Sequence, residues 1–197
     1  MEKRFAPIAS HLMGAGTLVR QPAKASPARV LPDDPALAVM TDLRQVAAVL
    51  VDPDVDIEAA QRIMIRRNVR SLFVVNVDNE VLGLITATDL LGEKPMQHLV
   101  RYGGRRSEIR VRDLMTPQAR LEVLPMAAVE RARVGHVVAT LKAAGRQHAM
   151  VVEDDAQGHA VVRGVFSAVQ LEKQLGETVA TGAPARSFAE IEAALAH

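Results

Sequence analysis

The sequence predicts a mixed α/β (α+β) protein made of two copies of one unit, each running strand–helix–strand–strand–helix. Internal echoes carry most of that prediction. Gly83-Leu84-Ile85-Thr86-Ala87-Thr88-Asp89 returns 81 residues later as Gly164-Val165-Phe166-Ser167-Ala168-Val169-Gln170. Phe73-Val74-Val75 returns as Met150-Val151-Val152, and Met40-Thr41 as Met115-Thr116, at spacings of 77 and 75 residues. The third observation is that an apolar stripe at helical spacing lies inside each copy: Ile57, Ala60 and Met64, then Val134, Val137 and Leu141. A unit repeated in this way packs against its copy, because one half alone leaves its apolar faces in water.

Taken in order, residues 1–35 hold five of the ten prolines, with Gly14 and Gly16 between them. Proline fixes φ and removes a donor, so this is read as an irregular arm with at most a turn of helix at Ile8 to Met13. Gly14-Ala15-Gly16 lacks a third glycine and a preceding strand, which excludes a dinucleotide fingerprint.

The first repeat is placed at 36–100. Val46 to Val51 reads as a buried strand ended by Asp52-Pro53-Asp54. Asp56 caps a helix that stops near Arg67-Asn68. Leu72 to Val77 and Val81 to Ile85 form a hairpin around Asp78-Asn79-Glu80, and Thr86 to Asp89 opens a further helix. Pro95 to Tyr102 is helical.

Residues 101–112 carry Arg101, Arg105, Arg106, Arg110 and Arg112 with Glu108 interleaved, the pattern of a solvated linker. The second repeat, 113–176, starts its strand at Leu121 to Val123, continues loosely through Met126 to Val129, and ends in the hairpin of Met150 to Val152 with Val161 to Phe166. In the tail, 177–197, Ser187 and Glu190 make a capping box ahead of Phe188, Ile191 and Leu195, an amphipathic helix that needs a surface to pack on.

Composition narrows the function. At 49% hydrophobic with four Phe, one Tyr and no Trp, the core is aliphatic. A net charge of +1 gives no global field for nucleic acid or membrane. No cysteine occurs, which excludes disulfides, thiol catalysis and zinc-thiolate sites and fits a reducing compartment. No apolar run approaches the ~20 residues of a membrane span, and the N-terminus lacks a signal-peptide core, so a cytoplasmic location is expected. The six histidines show no ligand spacing with carboxylates, so no metal site is expected. No Ser/His/Asp order, paired catalytic carboxylates or P-loop stands out, and the chain reads as a non-enzyme.

The element order, the Met-Thr pair ahead of each unit and the closing pattern Gly-apolar-apolar-Thr/Ser-x-x-Asp resemble a tandem pair of CBS domains, or Bateman module, over roughly Ala36 to Gly176. The resemblance implies two sheets side by side as a pseudo-two-fold pair, with two clefts that take adenine nucleotides. It also implies a regulatory homodimer that senses energy state and signals to a protein target without catalysis. No cofactor is required; AMP, ADP or ATP is the expected ligand, with S-adenosylmethionine a further candidate.

The family's ribose-binding carboxylate maps onto Asp89 with Thr86 as its hydroxyl companion. Its phosphate-facing residue maps onto Arg70-Ser71 and again onto Gln147-His148. Thr88 and Ser167 complete the polar set, and Val51 and Val55 stand for the aliphatic wall. The second repeat departs from the pattern at Gln170.

These residue types suit the task. An ionised Asp is acceptor-only and can hold both vicinal hydroxyls of a ribose. A strand-to-helix turn such as Thr86 presents backbone N–H groups to an anion, and small aliphatics near Val49 to Val55 can sandwich a base. A bland reading stands beside each. Thr86-x-x-Asp89 and Ser167-x-x-Gln170 are also helix capping boxes, Arg70 reads equally as a solvated arginine, and His148 as a surface histidine. Gln170 is neutral, so the second cleft is expected to be weaker, altered or vacant. The competing function is a dimerisation scaffold with vestigial clefts.

Overall fold

The computed structural model describes residues 29–179. The turn expected at Ile8 to Met13 and the helix at Ser187 to Leu195 lie outside the described residues. The strands are β1 (Thr41–Asp42), β2 (Leu50–Val51), β3 (Ser71–Val75), β4 (Val81–Thr86), β5 (Thr116–Pro117), β6 (Val123–Pro125), β7 (His148–Asp154) and β8 (Ala160–Ser167). The helices are α1 (Ile57–Arg67), α2 (Ala87–Leu91), α3 (Lys94–Tyr102), α4 (Val111–Leu114), α5 (Met126–Val129), α6 (Val134–Ala144) and α7 (Ala168–Leu175). Two four-stranded sheets result, ordered β2-β3-β4-β5 and β1-β8-β7-β6.

Local chemistry sets the element boundaries. Asp56 starts α1 because its carboxylate accepts the Ala59 N–H at 2.7 Å, satisfying a donor that the first turn otherwise orphans. Asn68 ends it at φ 53°, a left-handed conformation that asparagine tolerates. Both hairpins carry a bulge at the same place, after Val74 and after Val151, which leaves Leu82 and Arg163 as the extra residues.

Two strand readings are corrected. Of Val46 to Val51, only Leu50–Val51 pairs, and Val46 is 54% exposed; the segment before it forms a cleft wall instead. Met126–Val129 is a turn of helix, not a strand continuation, because the ladder ends at Pro125, which has no N–H to donate.

The repeats exchange their leading segments. β1 pairs with β8, Thr41 opposite Val165, so it joins the second sheet; β5 pairs with β4, Thr116 opposite Leu84, so it joins the first. The exchange extends upstream. Val30, Ala36 and Val39 are buried in the second-lobe core with Phe166 and Leu171, whereas Ile109, Val111 and Leu114 are buried in the first with Ile57 and Ile85. Matching backbone bonds fasten the two crossings, Val134 N–H to the Asp34 carbonyl at 2.9 Å and Ile57 N–H to the Ile109 carbonyl at 3.2 Å. Part of the stretch read as an irregular arm, and part of the stretch read as a solvated linker, therefore contribute core residues, Val30 in the first and Ile109 and Val111 in the second, while most of their neighbours face water.

The Met-Thr…Gly echo has its cause here. A Cβ on Gly83 would lie 2.5 Å from the Thr116 carbonyl oxygen and 2.9 Å from Met115 Sδ; on Gly164 it would lie 2.6 Å from Met40 Sδ. Each methionine covers the glycine of the opposite repeat.

The bulge aims Arg163 at β1. Its guanidinium bonds both Asp42 carboxylate oxygens and lies 3.5 Å from Glu153, which also pairs with Arg44 at 2.6 Å. The Arg163 hydrogen bond, opposed by burial and aided by the Arg44 amide, holds Asp42 below its ordinary value of 3.8. A depressed folded pKa means that stability is present above the ordinary value and lost as pH falls through the lowered one. Asp42→Asn should therefore lower the melting temperature at pH 7, and its gap from the parent should close below about pH 4. A gap that stays constant across an acid series of thermal melts would contradict this linkage.

Candidate functional site

Between the sheets lies a thin buried seam formed by Phe73, Val75, Leu84 and Met150. Clefts flank it. At the end where β3 and β7 begin, a cleft of about 410 Å³ opens between the lobes, within the range of about 300–1,000 Å³ typical of small-molecule sites. Its apolar wall comes from Val46 to Val49 and from Val165 and Val169. Its polar groups are the hydroxyls of Thr41, Ser71 and Ser167, the amides of Asn68 and Gln170, His148, and the cations Arg70 and Lys173. Among the described residues no Asp or Glu lines it.

Sheet register puts these groups together. Ser71 opens β3 opposite Thr86, and His148 opens β7 opposite Ser167, so both hairpins present the ends of their first and last strands to one side. α7 starts from Ser167, whose hydroxyl makes no capping bond. Gln170 Oε1 accepts the Thr41 hydroxyl at 3.3 Å, tying the exchanged strand to the helix. Neither Arg70 nor Lys173 is in an ion pair among the described residues. The result is a largely apolar cleft whose lining includes two cations and no described carboxylate, a composition suited to an anionic molecule with an apolar part.

Of the residues singled out from the sequence, Arg70, Ser167 and His148 meet in this cleft, and Val49 lies in its wall. Val51 does not: it is 4% exposed and packed in the first-lobe core, with Val55 against the same core, because the β2 register turns Val51 inward. Thr88 is exposed on α2 and lies outside the cleft lining.

Asp89 and Thr86 also lie outside that lining, bonded to one another. The Thr86 hydroxyl accepts the Asp89 N–H, while Asp89 Oδ2 accepts the Thr86 N–H at 2.8 Å and the Thr86 hydroxyl at 2.7 Å. Asp89 Oδ1 lies 2.6 Å from Lys94 Nζ. The capping box read from the sequence is thus formed at Thr86 and absent as a side-chain cap at Ser167.

Sequence reasoning passed over Thr41 and Lys173 as site residues. The signals were present: Thr41 belongs to the echoed Met-Thr pair, and Lys173 stands three residues after Gln170 on one helix face.

A second cleft, about 1,120 Å³, opens at the hairpin-turn end of the same seam. Aliphatic residues such as Leu50, Val123 and Val152 line it, with Asp78 and Glu80 in its wall and no lysine or arginine among the described lining residues. Its charge is wrong for an anion. No helix of the described residues is long and apolar enough to cross a membrane.

Residues 38–95 match the CBS domain family. Among solved structures, an uncharacterized conserved protein from Pyrococcus horikoshii is 22% identical with a TM-score of 0.51, over 72% of this chain and 92% of that one. A CBS-domain containing protein from Agrobacterium tumefaciens is 18% identical with a TM-score of 0.50, over 69% and 93%. CBSX2, a CBS-pair protein from Arabidopsis thaliana solved in complex with AMP, is 19% identical with a TM-score of 0.46, over 70% and 93%. No curated protein matches the chain.

Proposed function

We propose that this chain is a tandem CBS-pair protein, a reading supported by the CBS match over residues 38–95 and by the fold shared with a solved CBS-domain protein, that its inter-sheet cleft binds an adenosine-type nucleotide, and that occupancy regulates a partner or the chain's own dimer. One observation carries the reading: a largely apolar cleft lined also by Arg70 and Lys173, with no carboxylate among its described lining residues. The base lies against Val46 to Val49 and Val165. The hydroxyls of Ser71 and Ser167 and the Gln170 amide take the sugar. Arg70 and Lys173 take the phosphate, and His148 stands beside them. Asp89 and Thr86 are the related position on the other repeat.

A ligand in this cleft touches both lobes, and the seam beneath it is thin. Binding therefore favours one relative orientation of the sheets, and regulation is a population shift set by the difference in affinity between orientations. The work is recognition without bond-making.

A thermal-shift and calorimetric panel of AMP, ADP, ATP, S-adenosylmethionine and GTP tests this. A ligand at 100 times its dissociation constant stabilises by about 2.7 kcal/mol, roughly 5–10 °C for a chain of this size. Arg70→Gln and Lys173→Gln should each weaken binding about tenfold, because hydrogen bonds to charged groups are worth about 1.5–3 kcal/mol and exposure takes these two to the lower end. Equal affinity in the parent and both variants would refute the assignment. The scaffold reading draws on one feature, the Asp89 carboxylate engaged by its own helix cap and Lys94. A flat panel with a persistent dimer by light scattering would favour it.

A further inference from the structure

The duplication builds two equivalent positions, Thr86/Asp89 and Ser167/Gln170, each at the end of a hairpin opposite the first residue of its partner strand. They diverge in the next turn of chain. In the second repeat α7 runs on to Leu175 and carries Lys173 into the cleft. In the first, α2 stops at Leu91 and α3 begins at Lys94 with Pro95 in its first turn. Gly92 permits that break: a Cβ there would lie 2.6 Å from the Thr88 carbonyl oxygen.

The break returns Lys94 onto the position it follows. Its ammonium donates to Asp89 Oδ1 at 2.6 Å and to the Leu114 carbonyl at 3.1 Å. By the spacing of the repeats, Leu175 occupies the place of Lys94, and Lys173 the place of Gly92. Each half thus has a lysine near its closing motif, set against the carboxylate in one and lining the cleft in the other.

We propose that Lys94 closes the Asp89 position by standing in for a ligand, so that the chain takes one nucleotide, on its Gln170 side. This rests on reading the inter-sheet cleft as a nucleotide site. Asp89 is 8% exposed, and both of its oxygens are engaged by Thr86 and Lys94. To enter, a ribose must exchange neutral hydroxyls for an ammonium, although a charge-assisted bond is about twice as strong as a neutral one. The Gln170 side offers no such opposition. Its hydroxyl at Ser167 makes no capping bond, and its amide oxygen has only a 3.3 Å contact with Thr41.

Isothermal titration with AMP and with ATP decides it by stoichiometry. The parent should bind one equivalent per chain. Lys94→Met, which keeps the aliphatic stem, should bind two, Lys94→Met with Asp89→Asn should return to one, and Lys94→Arg should stay at one. A parent that binds two equivalents, or a folded Lys94→Met protein that still binds one, overturns the closure and leaves the cleft assignment standing. A parent that binds none while Lys94→Met binds one supports closure and overturns the cleft assignment. No binding by either overturns both.

Discussion

Phe166→Ala is expected to cost about 3–5 kcal/mol and to lower the melting temperature by roughly 10–15 °C. Among the described residues Phe166 is the largest fully buried side chain, at 0% exposure. It projects from β8 into a core built from α6, α7 and the exchanged segment that supplies Ala36 and Val39. Few aromatics are available elsewhere, and the aliphatic neighbours cannot collapse from three sides at once, so a cavity persists. That loss is a large share of the ~5–15 kcal/mol that a native domain typically has. Because each lobe holds a segment of the other, the drop should appear as one displaced transition in calorimetry. A second, unshifted transition belonging to the first lobe would show that the exchange does not couple them.

The second large effect is steric and unequal between two positions that look alike in sequence. Gly83→Ala and Gly164→Ala both overpack a crossing, at a cost of about 1–3 kcal/mol. At Gly83 the new Cβ meets a backbone carbonyl, Thr116 O, at 2.5 Å, so β5 itself must move. At Gly164 the nearest atoms are the flexible end of Met40, with the Thr41 carbonyl oxygen at 3.0 Å, so a rotamer change relieves most of the clash. Denaturant melts should rank Gly83→Ala as clearly the more damaging. The reverse order, or equal losses, would mean that strand displacement is not what limits the site.

Much of the architecture was legible because it depends on local periodicity. The stripe of Ile57, Ala60 and Met64, the Asp56 cap and both hairpins follow from side-chain spacing and turn chemistry within about a dozen residues. Arg70 and His148, named from the family resemblance, and Ser167, named from the repeated motif, all line the inter-lobe cleft proposed as the site. Val51 was misplaced because the run Val46 to Val51 is apolar throughout and its alternation cannot say which residues reach β3. Lys94 was invisible: nothing in Glu93-Lys94-Pro95 says that the chain turns back on Asp89.

The sequence by itself determined the duplication, the element order within each copy and the chemical asymmetry between Asp89 and Gln170, since all three are written in residue identity at fixed spacing. Only the tertiary structure decided which lobe receives each leading segment, which residues of both repeats line the inter-lobe cleft, and that Lys94 meets Asp89 while Lys173 lines the cleft. Those outcomes turn on contacts between residues more than a hundred positions apart, such as Thr41 with Val165, and on a single tight turn at Gly92. Local propensity is nearly the same for both copies, so packing and sterics had to choose between them.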